Sequence, residues 1–151
     1  MPAEIGHGVR HLSILRLSQA LPSVAAMARI PRSAATSTWH HVMNRGARRL
    51  SIFGDDTDRE SFLTRLDEAH ETHGIEIHAY ALLTNHFHLL LHAPVETISR
   101  SMQLIAGRHA QRHNAKYGLD GPLFRGRYRS KPIETQTHLR RSVRYIHRNP
   151  I

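Results

Sequence analysis

The sequence predicts an α+β domain: an antiparallel sheet with helices on one face, in the split order strand, helix, strand, strand, helix, strand, with an additional helix closing the chain. Three observations lead there. Residues 57–74 carry helix punctuation and helical spacing, residues 75–92 alternate as a hairpin, and the last thirty or so positions pass from period-two to 3.6-residue periodicity. At 151 residues the chain is long enough for one domain with a proper core and too short for two.

Residues 1–26 differ in character from the rest. Arg16 and Gln19 interrupt the half-apolar stretch Leu12–Leu21, which argues against a signal-peptide core, so these positions read as a disordered upstream extension. The domain then runs from Met27 to Ile151, with a small-residue linker at Ser33–Thr38 inside it. Trp39 to Met43 has the composition of a first strand, followed by the turn-like Asn44-Arg45-Gly46 and the apolar pair Ile52-Phe53. Thr57 with Glu60 three later fits a capping box; Phe62, Leu63, Leu66 and Ala69 have helical spacing, and Gly74 supplies a stop. Asp55 and Asp56 read as carboxylates stabilised by that helix's dipole rather than as a metal site.

Ile75, Ile77, Ala79 and Ala81 alternate with Glu76, His78, Tyr80 and Leu82 as a strand; after a turn at Thr84-Asn85, His86 to His92 is its hairpin partner. A second helix is expected from Thr97 to Lys116, with Ile98, Met102 and Ile105 inward and Tyr117-Gly118 ending it. Leu123 to Glu134 reads as a strand with Arg125, Arg127, Arg129 and Lys131 projecting from one side. The last helix starts around Thr135 to Thr137 and carries Leu139, Val143 and Ile146 on one stripe, with Tyr145 at the core's edge.

Charge narrows the partner. Lys and Arg number 21 against 12 Asp and Glu. From Ser101 onward the only acids are Asp120 and Glu134, against eleven bases that include Lys116 and Arg141. Such a cluster favours a polyanion through phosphate neutralisation and counterion release, and Arg108, Arg112, Arg125, Arg127, Arg129, Lys131, Arg140, Arg144 and Arg148 are the candidate contacts. The absence of cysteine excludes disulfides, thiolate zinc sites and cysteine nucleophiles. No run approaches the ~18 to 20 apolar residues of a spanning helix.

Two segments carry chemistry. His86 and His88 lie two apart in an apolar strand, so both imidazoles leave one face of the sheet, a geometry suited to clamping a metal. Tyr145 and Asn149 lie four apart on the closing helix and share a face. Imidazole alone suits Zn²⁺, Fe²⁺ or Ni²⁺ equally well. The other histidines, His41 among them, have no spacing that demands a ligand role.

His41-Val42-Met43-Asn44-Arg45-Gly46, Asn85-His86-Phe87-His88-Leu89-Leu90, Gly121-Pro122-Leu123-Phe124-Arg125-Gly126-Arg127-Tyr128 and Tyr145-Ile146-His147-Arg148-Asn149-Pro150, in that order, resemble the REP-associated branch of the single-tyrosine transposases, marked by a His-hydrophobic-His motif. The resemblance implies a ferredoxin-like fold, with Mg²⁺ or Mn²⁺ held by His86, His88 and the amide oxygen of Asn149, and Tyr145 as nucleophile. It implies cleavage of single-stranded DNA beside a hairpin through a 5′-phosphotyrosine, strand transfer by the reverse attack, a homodimer, and a prokaryotic-type cytoplasmic, nucleoid-associated setting. An ordinary phenol, pKa ~10, is protonated near neutrality, so attack on a phosphodiester calls for a cation to polarise the phosphate. Relatives usually continue past the Asn-Pro pair, so the domain is expected to be C-terminally short. They also commonly carry tyrosine where His109 stands, a change expected to weaken a DNA contact. The competing readings are a non-enzymatic DNA-hairpin-binding relic and a metal hydrolase that cuts with water.

Overall fold

In the computed structural model, residues 37–148 are described; residues 1–36, Asn149, Pro150 and Ile151 lie outside the described residues, and Ser37 and Thr38 of the expected linker instead open the first strand. The elements are β1 (Ser37–Arg45), α1 (Asp56–His73), β2 (Glu76–Leu83), β3 (His86–Pro94), α2 (Val95–Met102), α3 (Arg108–Tyr117), β4 (Arg129–Ile133) and α4 (Gln136–Arg148). The four strands form one antiparallel sheet in the order β2-β3-β1-β4. This is the ferredoxin-like α+β arrangement expected from the sequence, with both crossovers built from helices.

Each β3 side chain goes to one of two faces. Phe87, Leu89, Leu91 and Ala93 join Val42 of β1 in a core with Phe62, Leu66 and Ala69 of α1 and Ile98 and Met102 of α2. Leu90 points the other way and packs with Ala79, Ile133, Leu139 and Ile146 in a smaller cluster beneath α4. The closing helix therefore lies alone across the face that the other helices leave open. His86 and His88 share Leu90's parity and are directed toward that helix.

Local chemistry sets the helix boundaries. The cap of α1 is Asp55, not Thr57: its carboxylate accepts from the Asp58 N–H at 3.0 Å and from the Thr57 hydroxyl at 2.7 Å. A carboxylate is the better match to the positive end of the helix dipole, so the helix begins two residues earlier than a Thr57 cap implies. Gly74 ends it in the left-handed conformation, φ 68°. α2 and α3 are one run joined through a π turn at Gln103–Gly107, where a single α-helix was expected. Thr135 caps α4, its hydroxyl accepting from the His138 N–H at 3.2 Å.

Two strand expectations are corrected. β2 does not alternate throughout: its register against β3 shifts between Ile77 and Ala79, so that Ile77, Tyr80 and Leu82 pack in the main core while Ala79 faces α4. An extra residue, His78, inverts the parity, as bulges on edge strands do. The strand expected over Leu123–Glu134 is paired only at Arg129–Ile133. Upstream of it, Phe124 makes an isolated bridge to Gly46, and Leu123 and Phe124 are buried. Consequently Arg125 and Arg127 belong to an irregular segment and do not continue the stripe of Arg129 and Lys131.

Candidate active site

β1, β3 and α4 bring three histidines and a tyrosine together. The registers His41↔Leu90 and Met43↔His88 put His41 on the same face as His86 and His88, with Lys131 of β4 opposite His41. The rings of His86 and His88 lie 5.1 Å apart, centre to centre, and nearly perpendicular. From α4 the Tyr145 ring meets His88 edge-on at 5.2 Å and His41 at 6.1 Å. Tyr145 remains half exposed, so a large substrate can reach its hydroxyl.

Hydrogen bonds orient the histidine pair. His86 Nδ1 donates to the Asn85 side-chain oxygen at 2.7 Å. His88 Nδ1 lies 3.0 Å from His41 Nε2, and His88 Nε2 is buried without a partner. An unmatched buried N–H is costlier than an unmatched lone pair, so Nδ1 is the donor and Nε2 bears the free electron pair. Each imidazole thus engages a neighbour through Nδ1, the arrangement in which metal-bound histidines are steered by an outer partner.

Electrostatics keep both rings neutral. Burial, then the neighbouring His41, His86 and Arg45, pushes the His88 imidazole down to about 4. Burial and Arg45 lower His86; burial, Lys131 and His138 lower His41. A divalent cation fits here, because the buried Nε2 of His88 offers an unclaimed lone pair on a pair of neutral imidazoles. Among the described residues no third His, Cys, Asp or Glu completes the set. Asn149, expected to supply the third oxygen, lies outside the described residues.

The predicted basic residues divide between faces. Arg129 and Lys131 stand on the site's side of β4, and Arg140, Arg144 and Arg148 are exposed on α4. Arg108 and Arg112 point elsewhere, pairing with Glu68 and, at 3.0 Å, with Asp58 of α1. His109 is also a core residue: its Nε2 donates to the Ile52 carbonyl at 2.7 Å against the edge of Phe62. The expectation that histidine here weakens a DNA contact is therefore corrected, since the position faces the core. His41 and Asn85 are the site residues that sequence reasoning missed. Their role follows from strand register and a turn, though the parity of His41 within a first strand was available as a signal.

A ferredoxin-like sheet thus presents a histidine pair to a tyrosine-bearing helix. The family model described as "Transposase IS200 like" matches residues 34–149, and the chain belongs to that family. No curated protein matches it significantly. Among solved structures it is similar to a REP-associated tyrosine transposase bound to a REP hairpin, with 21% identity and a TM-score of 0.60 over 76% of this chain and 67% of that one. It is also similar to a putative transposase from Deinococcus radiodurans R1, with 17% identity and a TM-score of 0.54 over 79% of this chain and 95% of that one. Among the described residues no helix is long and apolar enough to cross a membrane.

Proposed function

We propose that the protein cuts and rejoins single-stranded DNA next to a hairpin, with Tyr145 as nucleophile and His86 and His88 as metal ligands, completed by Asn149. One observation carries the reading: the buried, unpartnered Nε2 of His88 lies on the face that Tyr145 covers, their rings 5.2 Å apart. Mg²⁺ or Mn²⁺ bound there supplies Lewis-acid polarisation of the scissile phosphate.

The chain's own residues do the rest. The Tyr145 oxygen bonds to phosphorus as the bond from phosphorus to the 3′ oxygen breaks; the phenol gives up its proton and the departing oxygen gains one, leaving a free 3′-hydroxyl and a 5′-phosphotyrosine. Attack by a 3′-hydroxyl in the reverse sense rejoins the strand without a nucleotide cofactor. Arg129, Lys131, Arg140, Arg144 and Arg148 hold the DNA backbone near the site. A homodimer in the cytoplasm of a prokaryotic cell completes the reading and rests on the family resemblance.

Labelled hairpin DNA incubated with the protein and Mn²⁺ should give a shifted band that survives denaturation, and Tyr145→Phe should abolish it while leaving hairpin binding within about threefold. An undiminished adduct in Tyr145→Phe removes that residue from the mechanism. Salt-sensitive binding with no adduct in the wild type marks a hairpin-binding protein without catalysis.

A further inference from the structure

Four cations that the closing helix does not supply gather where β1 ends. Arg45, Arg48, Arg49 and Arg125 line an open cleft of about 520 Å³ together with Pro122 and Phe124. Among the described residues none of the four meets a carboxylate, whereas Arg59, Arg65, Arg108 and Arg112 each do. The cleft falls in the size range of pockets that take small ligands.

The backbone beneath these charges is held firmly. Gly46 N–H donates to the Asn85 carbonyl, Ala47 N–H to the Leu123 carbonyl and Arg125 N–H to the Arg45 carbonyl, at 2.8, 2.8 and 2.9 Å. Arg48 and Arg49 adopt φ of 51° and 61°, the left-handed region that side chains other than glycine's rarely occupy. Two successive arginines in that conformation, with exposed guanidinium groups and a pinned main chain, mark a turn built to aim charge outward.

The cleft adjoins the histidine pair. Arg45 is the register partner of His86. Asn85 joins the two places directly, its amide donating to the Arg49 carbonyl at 3.3 Å while its oxygen accepts from His86 Nδ1. Guanidinium forks match phosphate oxygens, and Pro122, exposed beside the edge of Phe124, offers an apolar surface for a base.

We propose that this cleft binds single-stranded DNA, holding the nucleotides that flank the phosphate attacked by Tyr145, their phosphates on the four arginines and one base against Pro122 and Phe124. The inference rests on the DNA-processing reading above and adds where the strand is gripped. The test uses the full chain and the variant R48G/R49G, in which glycine accepts the left-handed conformation and so spares the fold. The probes are a mixed-sequence DNA hairpin with a single-stranded tail of about eight nucleotides, within the span such grooves cover, and the same hairpin cut blunt.

By fluorescence anisotropy the wild type should bind the tailed hairpin about tenfold or more tighter than the blunt one. The variant should lose most of that difference, and its salt slope on the tailed probe should fall by about 1.4 for two lost phosphate contacts. A tail preference that survives in the variant, or is missing from the wild type, overturns the cleft. Assaying the covalent adduct in parallel separates the two readings. Adduct formation with an unaltered tail preference ends the cleft alone; a tail preference lost in the variant without any adduct leaves the cleft and ends the tyrosine chemistry.

Discussion

At the scale of single residues, His41 and Asn85 act through the histidines they touch. Removing the acceptor of His88 Nδ1 frees that ring to rotate or to place its proton on Nε2, and outer partners of this kind are worth roughly 10- to 100-fold in metal affinity. His41→Phe should therefore weaken Mn²⁺ binding by about that factor, read by electron paramagnetic resonance titration, with an unchanged far-UV spectrum; unaltered affinity removes His41 from the site. Asp58 is a different case, structural and far from the chemistry. Burial pushes its carboxyl up, but hydrogen bonds from Lys116, Tyr117 and the Gly54 N–H outweigh this and hold it well below the ordinary 3.8. Its stabilising effect is complete above pH ~5 and is lost as pH falls below the ordinary value toward the folded one. Asp58→Ala should cost about 2 to 3 kcal/mol, less than a wholly buried pair because Arg112 and Lys116 are partly solvated. Asp58→Asn should flatten the acid limb of the melting temperature, and an unchanged acid limb assigns that sensitivity to other carboxylates.

Secondary elements show what one chain of letters discloses and what it conceals. The parity of His86 and His88 was legible because period two is a property of a single strand, and α1 was legible from Phe62, Leu66, Ala69 and Gly74 for the same local reason. His41 was not, because its contact with His88 joins positions 47 apart through the register of β1 on β3. Arg108 and Arg112 were assigned to a polyanion because they neighbour other bases in sequence, whereas Glu68 and Asp58 of α1 face them in space. The bulge at His78 was hidden because one inserted residue alters parity without altering composition. Deleting His78 should restore strict alternation while keeping Ile75, Ile77, Tyr80 and Leu82 on the core side, because Ile77 and Ala79 already pair with the adjacent Leu91 and Leu90. The expected change is below about 2 kcal/mol, the worth of one buried aliphatic side chain, measurable by urea unfolding. A larger loss, as if one inward side chain had been turned out, contradicts the assignment of the bulge. Gly46 answers to space rather than to φ: an added Cβ falls 2.1 Å from the Leu50 carbonyl oxygen, so Gly46→Ala should disturb the arginine turn itself.

For the molecule as a whole, the sheet divides the work. One face is sealed by α1, α2 and α3 and supplies most of the core; the other presents the histidines, Arg129 and Lys131 beneath α4. Binding and cutting should therefore separate cleanly. Chelation of divalent ions should abolish the covalent adduct while hairpin affinity at fixed salt changes by less than about threefold, since phosphate contacts dominate affinity. Parallel loss of both would make the ion part of the DNA grip.

Among the described residues, Leu139, Val143 and Ile146 supply the apolar seam that moors α4 to the strands beneath it, beside the Tyr145 ring on His88. An arm tethered by so slender a seam can lift while the rest stays folded. In hydrogen exchange its amides should lose protection before those of β3, making the tyrosine's carrier the first piece of the protein to let go.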